Sequence, residues 1–216
     1  MADDARRGAV ILAGGHSTRF GSEDKATAVL AGSPMIRRVA DRLHNIIDEL
    51  VINCRAEQRQ GIGGALNGYP LEVTYAIDEI PNRGPMAGIH TGLSALEYSR
   101  LSFVVACDMP FVEPPVVSHL FNHLGEADAA VPRVEEKWLE TTHAVYRRDT
   151  MIDACQAALD ADESRIVHAL DRLDVQIVDV EDLPGPNPKS SFHNINTPVE
   201  LEQAAEQVRR ESQENA

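Results

Sequence analysis

Short apolar runs alternate along the chain with segments in which apolar residues recur every three or four positions. The runs are Ala9–Leu12, Glu49–Asn53 (ELVIN), Val73–Ile77, Phe103–Cys107 (FVVAC), Ala129–Pro132, Thr142–Tyr146 and Val175–Val180. Runs this apolar suit strands covered on both faces of a largely parallel sheet. Between them Ile36, Val39, Leu43 and Ile46 share helical spacing, as do Ile89, Leu93 and Leu96, and Val116, Leu120 and Leu124. Thr197-Pro198 has the form of an N-cap followed by proline at the first helical position. Val199, Leu201, Ala205 and Val208 are expected on one face of the helix that follows. The proline-rich stretch Asp182–Ser191 is expected to be a surface loop within the domain, because too few residues follow it to form a second core. Strands alternating with helices predict βαβ units and an α/β fold of three layers, with helices on both faces of a mostly parallel sheet.

The length of 216 residues suits a single domain with a sizeable core, and neither an internal repeat nor a low-complexity linker interrupts it. No apolar run approaches the ~20 residues that span a bilayer. The N-terminus, MADDARRGAV, lacks the apolar stretch of a signal peptide, so the cytoplasm is the expected location. A net charge of −14 repels nucleic acid and anionic membranes at long range, and neither is an expected partner. Any phosphate-binding function then needs a local basic pocket. Lys25, Lys137 and Lys189 are the only lysines among 20 basic residues. An acid-rich, lysine-poor chain is one that a cytoplasm of concentrated salt favours, although an ordinary acidic cytosolic protein also fits. Cys54, Cys107 and Cys155 lie far apart without a CxxC pair, which predicts buried thiols and neither a disulfide framework nor a zinc knot.

Four segments carry candidate chemistry. Leu12-Ala13-Gly14-Gly15 follows directly on the first strand, and Arg19 and Lys25 come next. Glycines let the backbone approach a ligand, and their N–H groups can line a nest for phosphate oxygens. Arg19 and Lys25 add the positive charge a triphosphate requires. The segment is neither G-x-G-x-x-G nor a P-loop. Asp108 ends a strand, where open α/β sheets bind ligands; it is placed to hold Mg²⁺ on triphosphate oxygens or to cap a turn. In Asn82–Leu93, Gly84-Pro85 opens a helix with small residues on one side, for close approach to a ligand or for tight helix–sheet packing. Asp78, just after a strand, could reach a nucleotide or cap a turn. In an extended run Asn194 and Asn196 point to the same side, where they can orient a polar substrate or the waters of a metal.

Taken together, these segments resemble the molybdenum cofactor guanylyltransferases, MobA-like nucleotidyltransferases of the Rossmann-like glycosyltransferase-A type. That family carries LAGG-x-S-x-R-M-G-x-x-DK, GPLAG-x-x-x-G-L, CD-x-P-F and N-x-NTP-x-x-L in this order, and the resemblance covers nearly the whole chain. It implies a domain spanning residues 1–216, with a GTP-binding half at about 8–112 and an acceptor-binding half at about 113–200. It also implies that Leu12, Ala13, Gly14 and Gly15 contact GTP, with Lys25 on its phosphates. Asn53 would lie on the base or ribose side, Asp78 on the nucleotide, and Asn194 and Asn196 near the reaction centre. Asp108 would hold Mg²⁺, and Arg19, Lys25 and Asp108 would form the catalytic set. The acceptor would be the molybdopterin cofactor, with transient contacts to proteins that deliver it or receive the product.

Alternatives sharing the first motif are transfer to another phosphorylated acceptor (cobinamide phosphate, phospholactate or a sugar phosphate), use of CTP, or a nucleotide-binding module without turnover. Two departures stand out. Phe20 replaces the family's Met, and Glu140–Tyr146 (ETTHAVY) lacks the family's Pro in a strand expected to face the acceptor, around Thr141 and His143. His119 and His123 have i, i+4 spacing but no third ligand in view, which favours an exposed helix face over zinc. Trp138 in EEKWLE suits either a substrate platform or an interface.

Overall fold

The computed structural model describes residues 6–15, 20, 24–78, 84–136, 138–185 and 187–214, the last four of these as backbone alone. In chain order the strands are β1 (Arg7–Leu12), β2 (Val29–Leu30), β3 (Ser33–Pro34), β4 (Glu49–Cys54), β5 (Val73–Ile77), β6 (Leu101–Ala106), β7 (Ala129–Glu135), β8 (Trp138–Leu139), β9 (His143–Arg147) and β10 (Val175–Asp179). The helices are α1 (Met35–Leu43), α2 (Arg59–Ala65), α3 (Pro85–Ser94), α4 (Pro114–His123), α5 (Arg148–Asp160), α6 (Ile166–Leu170) and α7 (Pro198–Glu214). The main sheet has the order β10-β7-β9-β6-β1-β4-β5, with β8 paired to β7, while β2 and β3 form a separate small hairpin.

β1 lies between β4 and β6, parallel to both, and β5 extends the sheet in parallel beyond β4. β9 runs antiparallel to its neighbours β6 and β7, and β10 is parallel to β7. The sheet is thus mostly parallel, with β9 reversed inside it and the short β8 reversed against β7. Side chains alternate across it, as period-2 geometry requires. Ala9 and Ile11 face a core built with Ile36, Val39, Ala40 and Leu43 of α1 and Val116, Val117 and Leu120 of α4. Val10, Val51 and Val104 face the opposite core, with Met86, Ile89 and Leu93 of α3 and Met151, Cys155 and Ala158 of α5. Those two cores make the three layers. A smaller cluster joins Phe20, Leu30, Met35, Ile195, Ala204 and Ala205, so the aromatic ring that replaces the family's Met is absorbed in apolar surroundings.

Some elements depart from the expected pattern. In α7, Ala204 and Ala205 are buried whereas Val199 is 63% exposed: Leu201 lies two positions after Val199, a step of about 200° around a helix. α2 contains Gly61, Gly63 and Gly64, poor helix formers, and is anchored instead by the fully buried Ile62. Within 182–191 the chain forms a short 3₁₀ turn over Pro188–Phe192, and Ser191 is fully buried. Cys54, Cys107 and Cys155 are free and buried, and burial pushes each thiol up from its ordinary value, Cys54 to about 11. Among the described residues no helix is long and apolar enough to cross a membrane.

Candidate active site

Parallel strands in register bring their carboxyl ends to one edge of the sheet. Leu12 lies opposite Asn53 and Ala106, and Asn53 opposite Ala76. Reversal of β9 puts its entry at that same edge, where the Ala106 N–H donates to the Thr142 carbonyl at 3.1 Å. The candidate residues therefore gather there from distant parts of the sequence.

At its centre is a cation between an acid and an amide. Lys25 Nζ lies 2.5 Å from Asp108 Oδ2 and donates to Asn196 Oδ1 at 2.9 Å. Lys25 opens a 3₁₀ turn that Asp24 caps, its Oδ1 accepting from the Ala26 N–H at 2.9 Å. Asp108 sits on the turn after β6. The Ile195 N–H donates to the Asp108 carbonyl at 2.9 Å, which pins the Asn194–Asn196 segment alongside it. Ile195 is fully buried, and its neighbour Asn196 reaches Lys25. Glu200 Oε2 accepts from the Asn196 and Thr197 N–H groups, and Thr197 Oγ1 accepts from Glu200 N–H, a reciprocal cap on α7.

A second cluster links β4, β5 and α3. Asn53 is only 2% exposed. Its Nδ2 donates to Asp78 Oδ1 at 2.7 Å and to the Ala76 carbonyl at 3.3 Å. Its Oδ1 faces the helix backbone so closely that a Cβ on Gly88 would stand 2.6 Å away. One turn along the same face, a Cβ on Gly92 would stand 2.4 Å from Val10 Cγ1. Tight helix–sheet packing thus explains the glycines of the Gly84–Gly92 segment, and close approach to a ligand is not needed. Gly84, with φ of 81°, caps α3 ahead of Pro85. A Cβ on Gly14 would lie 2.4 Å from Asp78 Oδ2, which brings the glycine turn against Asp78. Burial pushes the Asp78 carboxyl above the usual carboxylate range, opposed by the bond from Asn53 and the charge of Arg55.

Sequence reading missed two residues behind the glycine turn. Arg55 Nη1 donates to the Gly14 and Gly15 carbonyls at 2.8 and 2.9 Å. Gln58 Nε2 donates to the Ala13 carbonyl at 2.9 Å and to Asp24 Oδ2 at 2.7 Å. Their position just past the carboxyl end of a parallel strand was the available signal. Arg19 lies outside the described residues, as do Asn82, Arg83 and Lys137.

Asp108 Oδ1 is buried without a hydrogen-bond partner while Oδ2 meets Lys25. A hard anionic oxygen without a partner among the described residues fits Mg²⁺. Among the described residues no group of three His, Cys, Asp or Glu side chains could hold a metal unaided, so such an ion would take most of its ligands from phosphate and water.

In the strand expected to face the acceptor, the histidine packs into the core. His143 is fully buried, edge-on to Phe103 with ring centroids 4.9 Å apart and 4.7 Å from Phe192. Its Nε2 meets Ser191 Oγ at 3.1 Å, and burial pushes its pKa down to about 3. Glu140 instead folds onto Thr142, whose N–H and hydroxyl both donate to Glu140 Oε1. His119 and His123 stack at 3.8 Å, and His123 Nδ1 meets the His119 carbonyl at 3.0 Å, an arrangement for packing rather than chelation. Trp138 is 61% exposed.

Residues 9–175 match the family model described as a MobA-like NTP transferase domain. The chain belongs to that family. It is 45% identical over 202 residues to a probable molybdenum cofactor guanylyltransferase of Natronomonas pharaonis, covering 94% of this chain and 98% of that protein. A relative of the same description from Haloferax mediterranei is 36% identical, over 90% of each chain. Among solved structures, the molybdopterin-guanine dinucleotide biosynthesis protein A of Archaeoglobus fulgidus superposes with a TM-score of 0.76 at 29% identity, covering 94% of this chain and 99% of that one. The MobA-like family thus accounts for the α/β fold and for the reaction class, nucleotidyl transfer.

Proposed function

We propose that this MobA-like transferase moves GMP from GTP to the terminal phosphate of the molybdenum–molybdopterin cofactor. An oxygen of the acceptor phosphate attacks the α-phosphorus. The bond from that phosphorus to the oxygen bridging to the β-phosphate breaks, and pyrophosphate leaves with the electron pair. The acceptor is already anionic, so no general base is required. Guanylyl transfer to molybdopterin is supported by the relatives of that description from Natronomonas pharaonis and Haloferax mediterranei. The single observation that carries the site assignment is the Lys25–Asp108–Asn196 cluster beside the glycine turn, with Asp108 Oδ1 left open.

In this reading Gly14 and Gly15 cradle the triphosphate and Lys25 neutralises the charge that develops on its oxygens. Arg19 adds a second cation. Asp108 would hold Mg²⁺, which supplies Lewis-acid charge neutralisation when bound. Asn194 and Asn196 orient the reacting phosphates. Leu12, Ala13, Asn53 and Asp78 shape the nucleotide side within residues 8–112, and residues 113–200 carry the acceptor. The reaction belongs in the cytoplasm, with transient contacts to the proteins that supply the cofactor or take up its dinucleotide form.

Thermal unfolding with Mg²⁺ and each of GTP, CTP, ATP and UTP tests the donor. A ligand at about 100 times its Kd adds about 2.7 kcal/mol, or about 5–11 °C for a chain of this size. GTP is expected to give the largest shift, and pyrophosphate release is expected only when the molybdopterin acceptor is also present. A larger shift with CTP or ATP refutes guanylyl transfer.

A further inference from the structure

The glycine turn is held on its carbonyl side by two side chains, those of Arg55 and Gln58. Three successive carbonyls, those of Ala13, Gly14 and Gly15, are all engaged: the first by Gln58 Nε2, the next two by Arg55 Nη1. In a planar trans peptide the C=O of one residue and the N–H of the next point in opposite directions, and no described peptide is cis. Fixing the Ala13 and Gly14 carbonyls on the Arg55–Gln58 side therefore fixes the Gly14 and Gly15 N–H groups on the opposite side. Neither N–H has a hydrogen-bond partner among the described residues. Gln58 is itself saturated: its Oε1 accepts from the Arg55 N–H at 2.9 Å, and its Nε2 also donates to Asp24 Oδ2 at 2.7 Å. Asp24 is the residue that caps the turn opened by Lys25. One amide, 6% exposed, thus ties the start of the glycine turn to the base of the lysine.

We propose that Gln58 and Arg55 are positioning residues for nucleotidyl transfer: they hold the Ala13–Gly15 carbonyls back so that the Gly14 and Gly15 N–H groups face the triphosphate, and through Asp24 they set the place of Lys25. The inference rests on the reading of that turn as the triphosphate cradle. Chemistry on one side of a peptide plane is here controlled from the other. Backbone donors aimed in advance at an anion cost no reorganisation when it arrives.

The test separates the triphosphate from the nucleoside. Gln58→Met keeps the volume and removes both donated bonds. Its Kd for GTP, measured by calorimetry, is expected to rise about tenfold, the worth of one phosphate hydrogen bond, with guanosine unchanged within about twofold. Arg55→Met, altered at a less buried side chain, should show the same split and provides the readout if Gln58→Met loses its cooperative unfolding transition. Raising salt to about 1 M distinguishes geometry from charge: an Arg55 acting as a phosphate cation would lose its effect as the Debye length shrinks to about 3 Å, whereas a positioning effect persists. If GTP and guanosine weaken together, or neither weakens, or the Arg55→Met effect vanishes in salt, the positioning role is overturned. If the unaltered protein binds GTP no better than guanosine, the cradle reading fails and the brace with it. If the unaltered protein discriminates and both variants discriminate equally, the brace alone is wrong.

Discussion

Gly88→Ala is a substitution of one methyl group, and the structure predicts that its sign depends on a residue in another element. Gly88 sits inside α3, where alanine ordinarily gains about 1 kcal/mol over glycine. Here the new Cβ would stand 2.6 Å from Asn53 Oδ1, 3.4 Å from its Cγ and 3.6 Å from Leu12 Cδ2. Asn53 cannot yield cheaply, because it is buried and its Nδ2 is committed to Asp78 and to the Ala76 carbonyl. Overpacking of this kind costs about 1–3 kcal/mol, and displacing a hydrogen bond to a carboxylate about 1.5–3 more. After the helical gain, a net loss of about 1.5–5 kcal/mol remains, or about 3–20 °C in Tm. Thermal unfolding of four proteins reads the cycle: unaltered, Gly88→Ala, Asn53→Ala, and both. With the Asn53 amide removed the clash is gone, and Gly88→Ala should become neutral or stabilising by up to about 1 kcal/mol. A Gly88→Ala penalty of equal size in the Asn53→Ala background would refute the packing explanation of this glycine.

Lys25→Ala and Asp108→Ala should each lower turnover by about 10²–10³, and should also lower Tm, since either change strands its partner in a largely buried ion pair; wild-type turnover in either variant, read by pyrophosphate release, removes that residue from the mechanism. His143 contributes acid sensitivity. Its folded pKa, near 3, lies below its unfolded value near 6.5, so its share of stability is intact above pH 6.5 and lost as pH falls toward 3. At pH 5 the loss is about 2 kcal/mol; the Tm gap between His143→Phe and the unaltered protein should shift in favour of the variant between about pH 7.5 and 5, and a gap independent of pH would count against a neutral buried imidazole. Finally, a net charge of −14 implies self-repulsion that salt relieves: Tm should rise between about 0.1 and 1 M KCl as the Debye length falls from about 10 to 3 Å, and a fall in Tm would contradict this.

The fold was legible because both of its periodicities are strong. Runs such as Phe103–Cys107 cannot be anything but buried, and the period of Val116 and Leu120 is matched by full burial of both in α4. What escaped were elements whose residues argue weakly or falsely. α2 is a helix despite three glycines, held by Ile62 in the core. The antiparallel course of β9 is invisible in sequence, because direction is a property of connection and leaves no mark on the apolar pattern. In the site, motif residues stood out because charge in an apolar context is conspicuous: Lys25 and Asp108 were both visible in the sequence, while their ion pair was not. Arg55 and Gln58 did not stand out, because their partners are backbone carbonyls and main-chain atoms carry no sequence signature. His143 misled for the converse reason. A polar residue near a predicted site invites a functional role, whereas only packing against Phe103 and Phe192 reveals a histidine kept neutral in the core.

The cluster at Lys25 joins residues separated by 83 positions on one side and 171 on the other. A ribosome releasing this chain from its N-terminus completes the strands β1, β4, β5 and β6 long before Asn196 emerges. Lys25 would therefore face only Asp108 for a time. Only when the segment before α7 docks, with Ile195 seated among Phe20, Leu30 and Met35, does the third member arrive. A ligand that contacted all three residues would bind only after that segment had docked, and would add its binding energy to a late-emerging segment rather than to the first.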